Sequence, residues 1–282
     1  MMITISLITI PFLTVFGLFI GYNVGLRVFP AVRYKPYDRI ERCEEYVYQG
    51  NYEKVFTGSG LIGELEQYLP EGAFNLGFPY FGSCTGLEII ALSGKIPQVV
   101  FIETNYIFKG SDKELVNKVI EKQWTRLRHV APALLKKNRP DSLFRTAVRR
   151  ISNARRTEIA SPDFGRLNTE ELDRFHRIYN EPIDTQHFEN ILEELEKHVD
   201  YIRAQGCQIV FFEMPVHKDL YHSRLLEYQR NTLKALFNDK HYHWIESGQL
   251  HDYQTVDGIH LTKESMYRYA HFLMQNKRTL LT

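Results

Sequence analysis

Glu53-Lys54-Val55-Phe56-Thr57-Gly58-Ser59-Gly60 reads as a short β-strand that ends in a glycine-flanked serine, with Leu61, Ile62, Leu65 and Leu69 at helical spacing directly after it. The same strand-then-helix alternation runs through the rest of the chain. Ala73-Phe74-Asn75-Leu76-Gly77-Phe78 is a second strand, and Gln98 to Tyr106 is a third, apolar and β-branched before it closes on Glu103-Thr104-Asn105. His187 to Gln205 carries Phe188, Ile191, Leu192, Leu195, Val199 and Ile202 on one helical face, with Gly206 as its stop. Gln208-Ile209-Val210-Phe211-Phe212-Glu213-Met214-Pro215 follows as a buried strand, and His243-Trp244-Ile245 as a further short one. A last helix is expected over about Lys263 to Asn276. Alternation of this kind predicts an α/β fold, a three-layer α/β/α sandwich around a mostly parallel central sheet.

In open parallel sheets the site lies at the carboxyl ends of the strands, where Ser59, Gly77, Asn105 and the loop after Pro215 all fall. Ser59 also opens a helical stretch, whose outward N–H groups favour negative charge. It is therefore a candidate nucleophile, or a simple N-cap, a task serine performs well. Gly77 has a bare backbone that lets an N–H approach a reacting oxygen, and the Asn105 amide is a second donor. Near the C-terminus stands Asp257-Gly258-Ile259-His260-Leu261-Thr262, an acid and an imidazole three residues apart. One short turn can hold both, the carboxylate fixing the imidazole tautomer and the imidazole taking a hydroxyl proton. Asp-Gly is also an ordinary turn dipeptide, so a turn with a nearby surface histidine is the simpler alternative.

Taken in order, Gly58-Ser59, Gly77, Asn105 and Asp257-x-x-His260 resemble the SGNH hydrolase superfamily, the group that includes the GDSL esterases. The resemblance runs from about Tyr52 to the C-terminus. It implies a flavodoxin-like SGNH fold, Ser59 as nucleophile, His260 as general base, Asp257 as its orienting acid, and Ser59, Gly77 and Asn105 as the oxyanion hole. The first block reads Thr-Gly-Ser-Gly where the family has Gly-Asp-Ser-Leu, and the third reads Glu-Thr-Asn where it has Gly-x-Asn-Asp. Such loosened blocks look like the divergent, membrane-anchored branch that modifies cell-surface polymers. The implied activity is a serine esterase or O-acyltransferase moving an acyl group, expected to be acetyl, on or off a surface polysaccharide or glycan. A membrane-bound O-acyltransferase is a conceivable partner of such a protein. The alternative is a non-catalytic scaffold that keeps the fold and binds a polymer or a membrane partner.

The chain has 282 residues and a formal net charge of +1, so no global field selects its partner. Cys43, Cys84 and Cys207 cannot all pair internally and lack metal-ligand spacing. His241, His243 and His251 have no carboxylate at metal spacing, so no metal site and no cofactor are expected. His217, after the Phe212 strand, is a candidate for the substrate rim.

Ile3 to Ile20 is uncharged and mostly aliphatic or aromatic, which reaches the roughly 17 to 25 residues of a membrane span. No positive n-region precedes it, so an uncleaved single-span anchor over 1–22 is favoured over a signal peptide. Residues 23–50, with Pro30 and Pro36, read as a linker, and 51–282 as the catalytic domain. Arg27, Arg33, Lys35, Arg39 and Arg42 follow the span, which by the positive-inside rule puts the body in the cytoplasm. The resemblance implies the opposite side, and an extracytoplasmic body is the expectation adopted. A helical insertion over about 107–182 carries Lys118, Lys122, Arg126, Arg128, Lys136, Lys137, Arg139, Arg145, Arg149, Arg150, Arg155 and Arg156 against Glu121 and Asp141. It reads as a surface for anionic lipid or acidic polymer, or as a solvated face balanced elsewhere. Nucleic acid is not expected, since no nucleic-acid fold signature accompanies the charge.

Overall fold

The structure is a computed structural model, and it describes residues 2–28, 38–139, 141–144, 148, 167–238, 241–245 and 252–280. The proline-containing spacer around Pro30 and Pro36, with Arg33 and Lys35, lies outside the described residues. So do Arg145, Arg149, Arg150, Arg155, Arg156 and His251. The chain divides into two compact units, residues 1–50 with 117–159, and residues 51–116 with 160–282.

The larger unit holds a five-stranded sheet of order β2-β1-β3-β4-β5, formed by β1 (Lys54–Ser59), β2 (Ala73–Phe78), β3 (Val99–Glu103), β4 (Gln208–Phe212) and β5 (Tyr242–Ile245). Every strand pair is parallel. Strands covered on both faces must be apolar throughout. Accordingly every residue of β3 is buried, and Phe56 of β1 stacks on Phe101 of β3 at 4.4 Å between ring centres. The crossover helices α3 (Ser83–Ser93), α7 (Thr185–Ala204) and α9 (Arg224–Leu236) and the C-terminal helix α10 (Lys263–Leu280) supply the cover. Gly94 stops α3 in the left-handed conformation at φ +70°, and Asp184 caps α7 by accepting from His187 N. The remaining helices are α4 (Lys113–Val119), α5 (Lys122–Val130), α6 (Thr169–Asn180) and α8 (Lys218–Tyr221).

All five expected strands are present. The stretch after Ser59 is helical, yet it is a 3-10 turn series over Gly60–Tyr68 rather than an α-helix, with Leu61, Ile62 and Leu65 buried. Two glycines make room for it. A Cβ on Gly77 would lie 2.4 Å from Ile62 Cγ1, and one on Gly58 would lie 2.9 Å from Ile62 Cδ1.

The smaller unit is built on α1 (Met2–Val28), which continues six residues past the expected end of the span at residue 22. Its carboxyl end is held by polar contacts: Asn23 Oδ1 accepts from Ala133 N at 3.0 Å, Tyr22 Oη donates to Asn138 O, and Arg27 Nη2 donates to Val130 O. Residues 39–49, expected as spacer, are helical, running from α2 (Arg39–Glu44) into a π-turn over Glu45–Gln49. Cys43, Tyr46 and Val47 are buried there because this segment packs rather than spans open solvent. Residues 117–159 of the expected insertion group with this unit, and its remainder with the sheet.

Candidate active site

In a 2-1-3-4-5 sheet the chain direction of assembly reverses between β1 and β3, which opens a crevice at their carboxyl ends. Ser59 ends β1 and Glu103 ends β3, so the two flank that crevice. Thr57 pairs with Ile102, which brings Gly58 and Glu103 side by side. A Cβ on Gly58 would come within 2.7 Å of Glu103 Cβ and 2.8 Å of its Oε2. Gly58 is therefore the gap through which the Glu103 side chain folds back toward Ser59. Ser59 N–H donates to Glu103 Oε2 at 2.6 Å. Ser59 Oγ also accepts from Leu61 N at 3.2 Å, so the residue serves as the N-cap as well.

Glu103 is fully buried, and its Oε1 has no partner among the described residues. Burial pushes its carboxyl up to about 7, against the hydrogen bond from Ser59 N–H, which favours the ionised form. In the sequence Glu103 stands out only as the carboxylate on which the third strand closes, two residues before Asn105. Its signal was a carboxylate at the end of an otherwise apolar strand, opposite a glycine.

Asp257 and His260 form the expected pair. Asp257 Oδ2 meets His260 Nδ1 at 2.7 Å, while Oδ1 accepts from Ile259 N at 3.1 Å and His260 N at 2.8 Å. Burial of Asp257 works against its charge, but the bonds from the His260 ring, His260 N–H and Ile259 N–H outweigh it and hold the carboxyl below its ordinary value. The hydrogen bond that His260 donates to Asp257 raises the imidazole above its ordinary value, partly offset by burial and helped by the charges of Asp257 and Glu64. With Nδ1 committed to Asp257, Nε2 is the nitrogen left for proton transfer. Gly258 makes the turn at φ +105°, and a Cβ there would meet Leu172 Cδ1 at 2.8 Å. The loop is pinned from both sides, by His217 N donating to Gly258 O at 2.7 Å and by the Thr255–Leu261 bridge. His217 thus supports the turn through its backbone, and its ring Nδ1 accepts from Asp219 N at 3.4 Å at the start of α8.

Ser59 and His260 share no hydrogen bond among the described residues, and the other two expected oxyanion donors are engaged. Gly77 N–H donates to Asn75 Oδ1 at 2.7 Å, and Asn75 Nδ2 donates to Ile62 O at 2.7 Å. Asn105 Nδ2 donates to Met214 O at 2.9 Å, and its Oδ1 accepts from Met214 N at 2.7 Å. Tyr106 connects the two halves of the site. Its hydroxyl accepts from Tyr179 Oη at 2.8 Å, and it is pushed up to about 12, by burial first and also by the charges of Glu103 and Asp257. Tyr106 sat at the end of the third predicted strand, whereas nothing in the spacing singled out Tyr179.

Elsewhere in this unit Glu88, Glu194 and His198 bring potential ligand atoms within 4.8 Å of one another. Lys113 Nζ lies between the carboxylates, 2.8 Å from Glu88 Oε2 and against Glu194 Oε1, so an ammonium already supplies the counter-charge. The three cysteines are buried thiols not joined in disulfides, and burial pushes the Cys84 and Cys207 thiols up to about 12.

No protein-family model matches the chain, and no curated protein matches it. Among solved structures it is similar to a Streptococcus pneumonia protein provisionally named as a platelet activating factor, at 11% identity and a TM-score of 0.43, covering 95% of this chain and 98% of that one.

Proposed function

We propose that the protein is a membrane-anchored acyl-transfer enzyme of the SGNH class, with Ser59 as nucleophile and the Asp257–His260 pair as proton carrier. The preformed pair carries this reading: Asp257 fixes one ring nitrogen of His260 at 2.7 Å on a pinned turn, at the same end of a 2-1-3-4-5 sheet as a serine that closes β1. Esterase and O-acyltransferase share this chemistry, since they differ only in whether water or an alcohol resolves the acyl-enzyme. The substrate class that fits an anchored, outward-facing body is an acylated surface glycan, with acetyl as the acyl group. The anchor is supported by α1, whose Pro11–Val28 window has a mean hydropathy of 1.3 and is 6% buried. A signal sequence has the same profile, and the positive residues after the span argue for the cytoplasmic side. An activity-independent reporter fused after Thr282 decides the side.

A fluorophosphonate, which phosphonylates activated serines, tests the nucleophile. Labelling of the wild type that disappears in Ser59→Ala supports the assignment, and undiminished labelling of Ser59→Ala removes it. Acetyl release measured against acetyl transfer to an added oligosaccharide then separates esterase from transferase. The second reading, a scaffold without turnover, is favoured by a specific observation: at rest the Ser59 N–H, the Gly77 N–H and the Asn105 amide all have internal acceptors. A folded wild type that is never labelled supports the scaffold.

A further inference from the structure

We infer that Glu88, Glu194 and His198 form a binding site for a first-row divalent metal ion, with Lys113 as the internal cation that the ion displaces. The site lies between two helices of the larger unit and does not depend on the acyl-transfer reading. Glu194 and His198 stand four residues apart on α7, so their side chains share one face of that helix. Glu88 comes from α3, which packs against α7. One potential ligand atom from each residue lies within 4.8 Å of the other two. Ligand atoms about 2 Å from an ion lie roughly 3 to 4 Å from one another, so modest side-chain rotations close the set. Glu88 is far from His198 in the chain, which is why no local spacing reveals it.

Two observations beyond the carboxylates point to a metal. His198 is 9% exposed, and its Nε2 has no hydrogen-bond partner among the described residues. Glu194 Oε1 lies 3.8 Å from that nitrogen, beyond hydrogen-bond reach. A buried polar atom left unpaired is costly, and an ion bonded to both atoms would relieve that cost. The other observation is charge. Two carboxylates face one ammonium, Lys113 Nζ lying 2.8 Å from Glu88 Oε2 and against Glu194 Oε1, so one negative charge is left over. A divalent ion balances the carboxylate pair outright. Lys113 can yield its place, because its side chain is 51% exposed and its flexible stem can carry the ammonium out to water.

The surroundings suit a ligand set. Ser111 Oγ donates to Glu88 Oε2 at 2.5 Å and orients that carboxylate, as outer partners of metal ligands do. An imidazole nitrogen disfavours Ca2+ and Mg2+, which take oxygen ligands, whereas one nitrogen with two carboxylates suits Zn2+ or Co2+. Three protein ligands leave room for water in the coordination shell. An ion held here joins α3 to α7, and by binding the folded chain alone it stabilises the fold.

Zn2+ is the probe. Calorimetric titration of the detergent-solubilised full chain should show a single strongest site for it. His198→Gln and Glu88→Gln should each weaken that binding by at least about tenfold, the lower end of the loss when even an outer partner of a metal ligand is removed. Lys113→Met keeps the stem and removes the competing charge, so it should tighten binding severalfold. The melting temperature of the wild type should rise with Zn2+ and return to its starting value with a chelator. Absence of Zn2+ binding, equal affinity in wild type and a folded His198→Gln, or equal stabilisation by Mg2+ overturns the site. Should neither His198→Gln nor Glu88→Gln fold, Lys113→Met decides: tighter binding supports the site, and unchanged or weaker binding overturns it. None of these outcomes bears on Ser59, which the fluorophosphonate reads separately.

Discussion

Ionising Glu103 costs folding free energy, because its carboxyl is fully buried and one of its oxygens lacks a partner. The carboxyl titrates near 7 when folded and near 4.5 when exposed, so between these values the folded state holds more protons than the unfolded one. Stability from this residue is therefore complete below about pH 4.5 and is lost as pH rises through about 7. The full difference is about 3 kcal/mol. Glu103→Gln keeps the acceptor for Ser59 N–H and removes the charge. Its melting temperature should exceed that of wild type at pH 8 and match it at pH 4.5, as read by circular dichroism. An equal offset at both pH values would show that the buried charge is not the cause. His260→Ala belongs to the same scale. Turnover of an alkyl ester should drop by roughly a thousandfold or more with the fold unchanged. The drop should shrink with a nitrophenyl ester, whose leaving group needs little protonation. Near-normal hydrolysis of the alkyl ester in a folded variant would remove His260 from the mechanism.

Among the elements, β3 and β4 are tied beyond their last paired residues by a side chain acting as a rung. Asn105 bonds both the N–H and the C=O of Met214, as a neighbouring strand would. Asn105→Ala strands two buried backbone groups at about 1 to 3 kcal/mol each, so urea unfolding should show a loss of about 2 to 6 kcal/mol. An Asn105→Ala protein of wild-type stability that loses activity alone would instead favour the oxyanion role. Gly77 has an equally physical task, since any side chain there meets Ile62 at 2.4 Å. Gly77→Ala should cost about 1 to 3 kcal/mol, and the double variant with Ile62→Ala should be more stable than the sum of the single changes predicts. These two residues mark where sequence reasoning stopped. Periodicity placed all five strands, and the Asp257-x-x-His260 spacing placed the acid on its histidine, because both depend on neighbours in the chain. Which acceptor holds the N–H of Gly77, or which donor meets Glu103, depends on strand register and on Asn75 and Ile62 contacts that no local pattern encodes. The family resemblance singles out Asn105 as a donor, while Glu103, two residues earlier, is the residue that bonds Ser59 N–H.

At the scale of the whole molecule, the smaller unit joins an apolar helix to part of the basic segment. Some of that charge is paired within the unit, Lys136 Nζ lying 2.7 Å from Asp38 Oδ2 and Lys137 Nζ 3.8 Å from Glu45 Oε2, while the Arg128 guanidinium donates to the carbonyls of Lys118 and Val119. What remains outward on α5 is mixed. Trp124, Leu127 and Val130 are 45%, 46% and 60% exposed, and Arg126 is exposed beside them. Trp124, Leu127 and Val130 recur every third residue, which gives the helix one apolar face, and a basic amphipathic helix of this kind suits the surface of anionic lipid. Arg27 of α1 donates to Val130 O, so the end of α5 is fixed to the end of the membrane-span candidate, where the headgroups of a bilayer would begin. The full chain reconstituted into vesicles containing anionic phosphatidylglycerol should therefore show a blue-shifted Trp124 emission, weaker in pure phosphatidylcholine and reduced by salt. The other tryptophan, Trp244, stacks on Phe211 at 4.7 Å within the sheet unit and supplies a constant background. Trp124→Phe should abolish the shift, and Arg126→Glu should weaken it. A shift of equal size in neutral and anionic vesicles would assign α5 to apolar contact alone, and no shift in either would return its basic face to solvent.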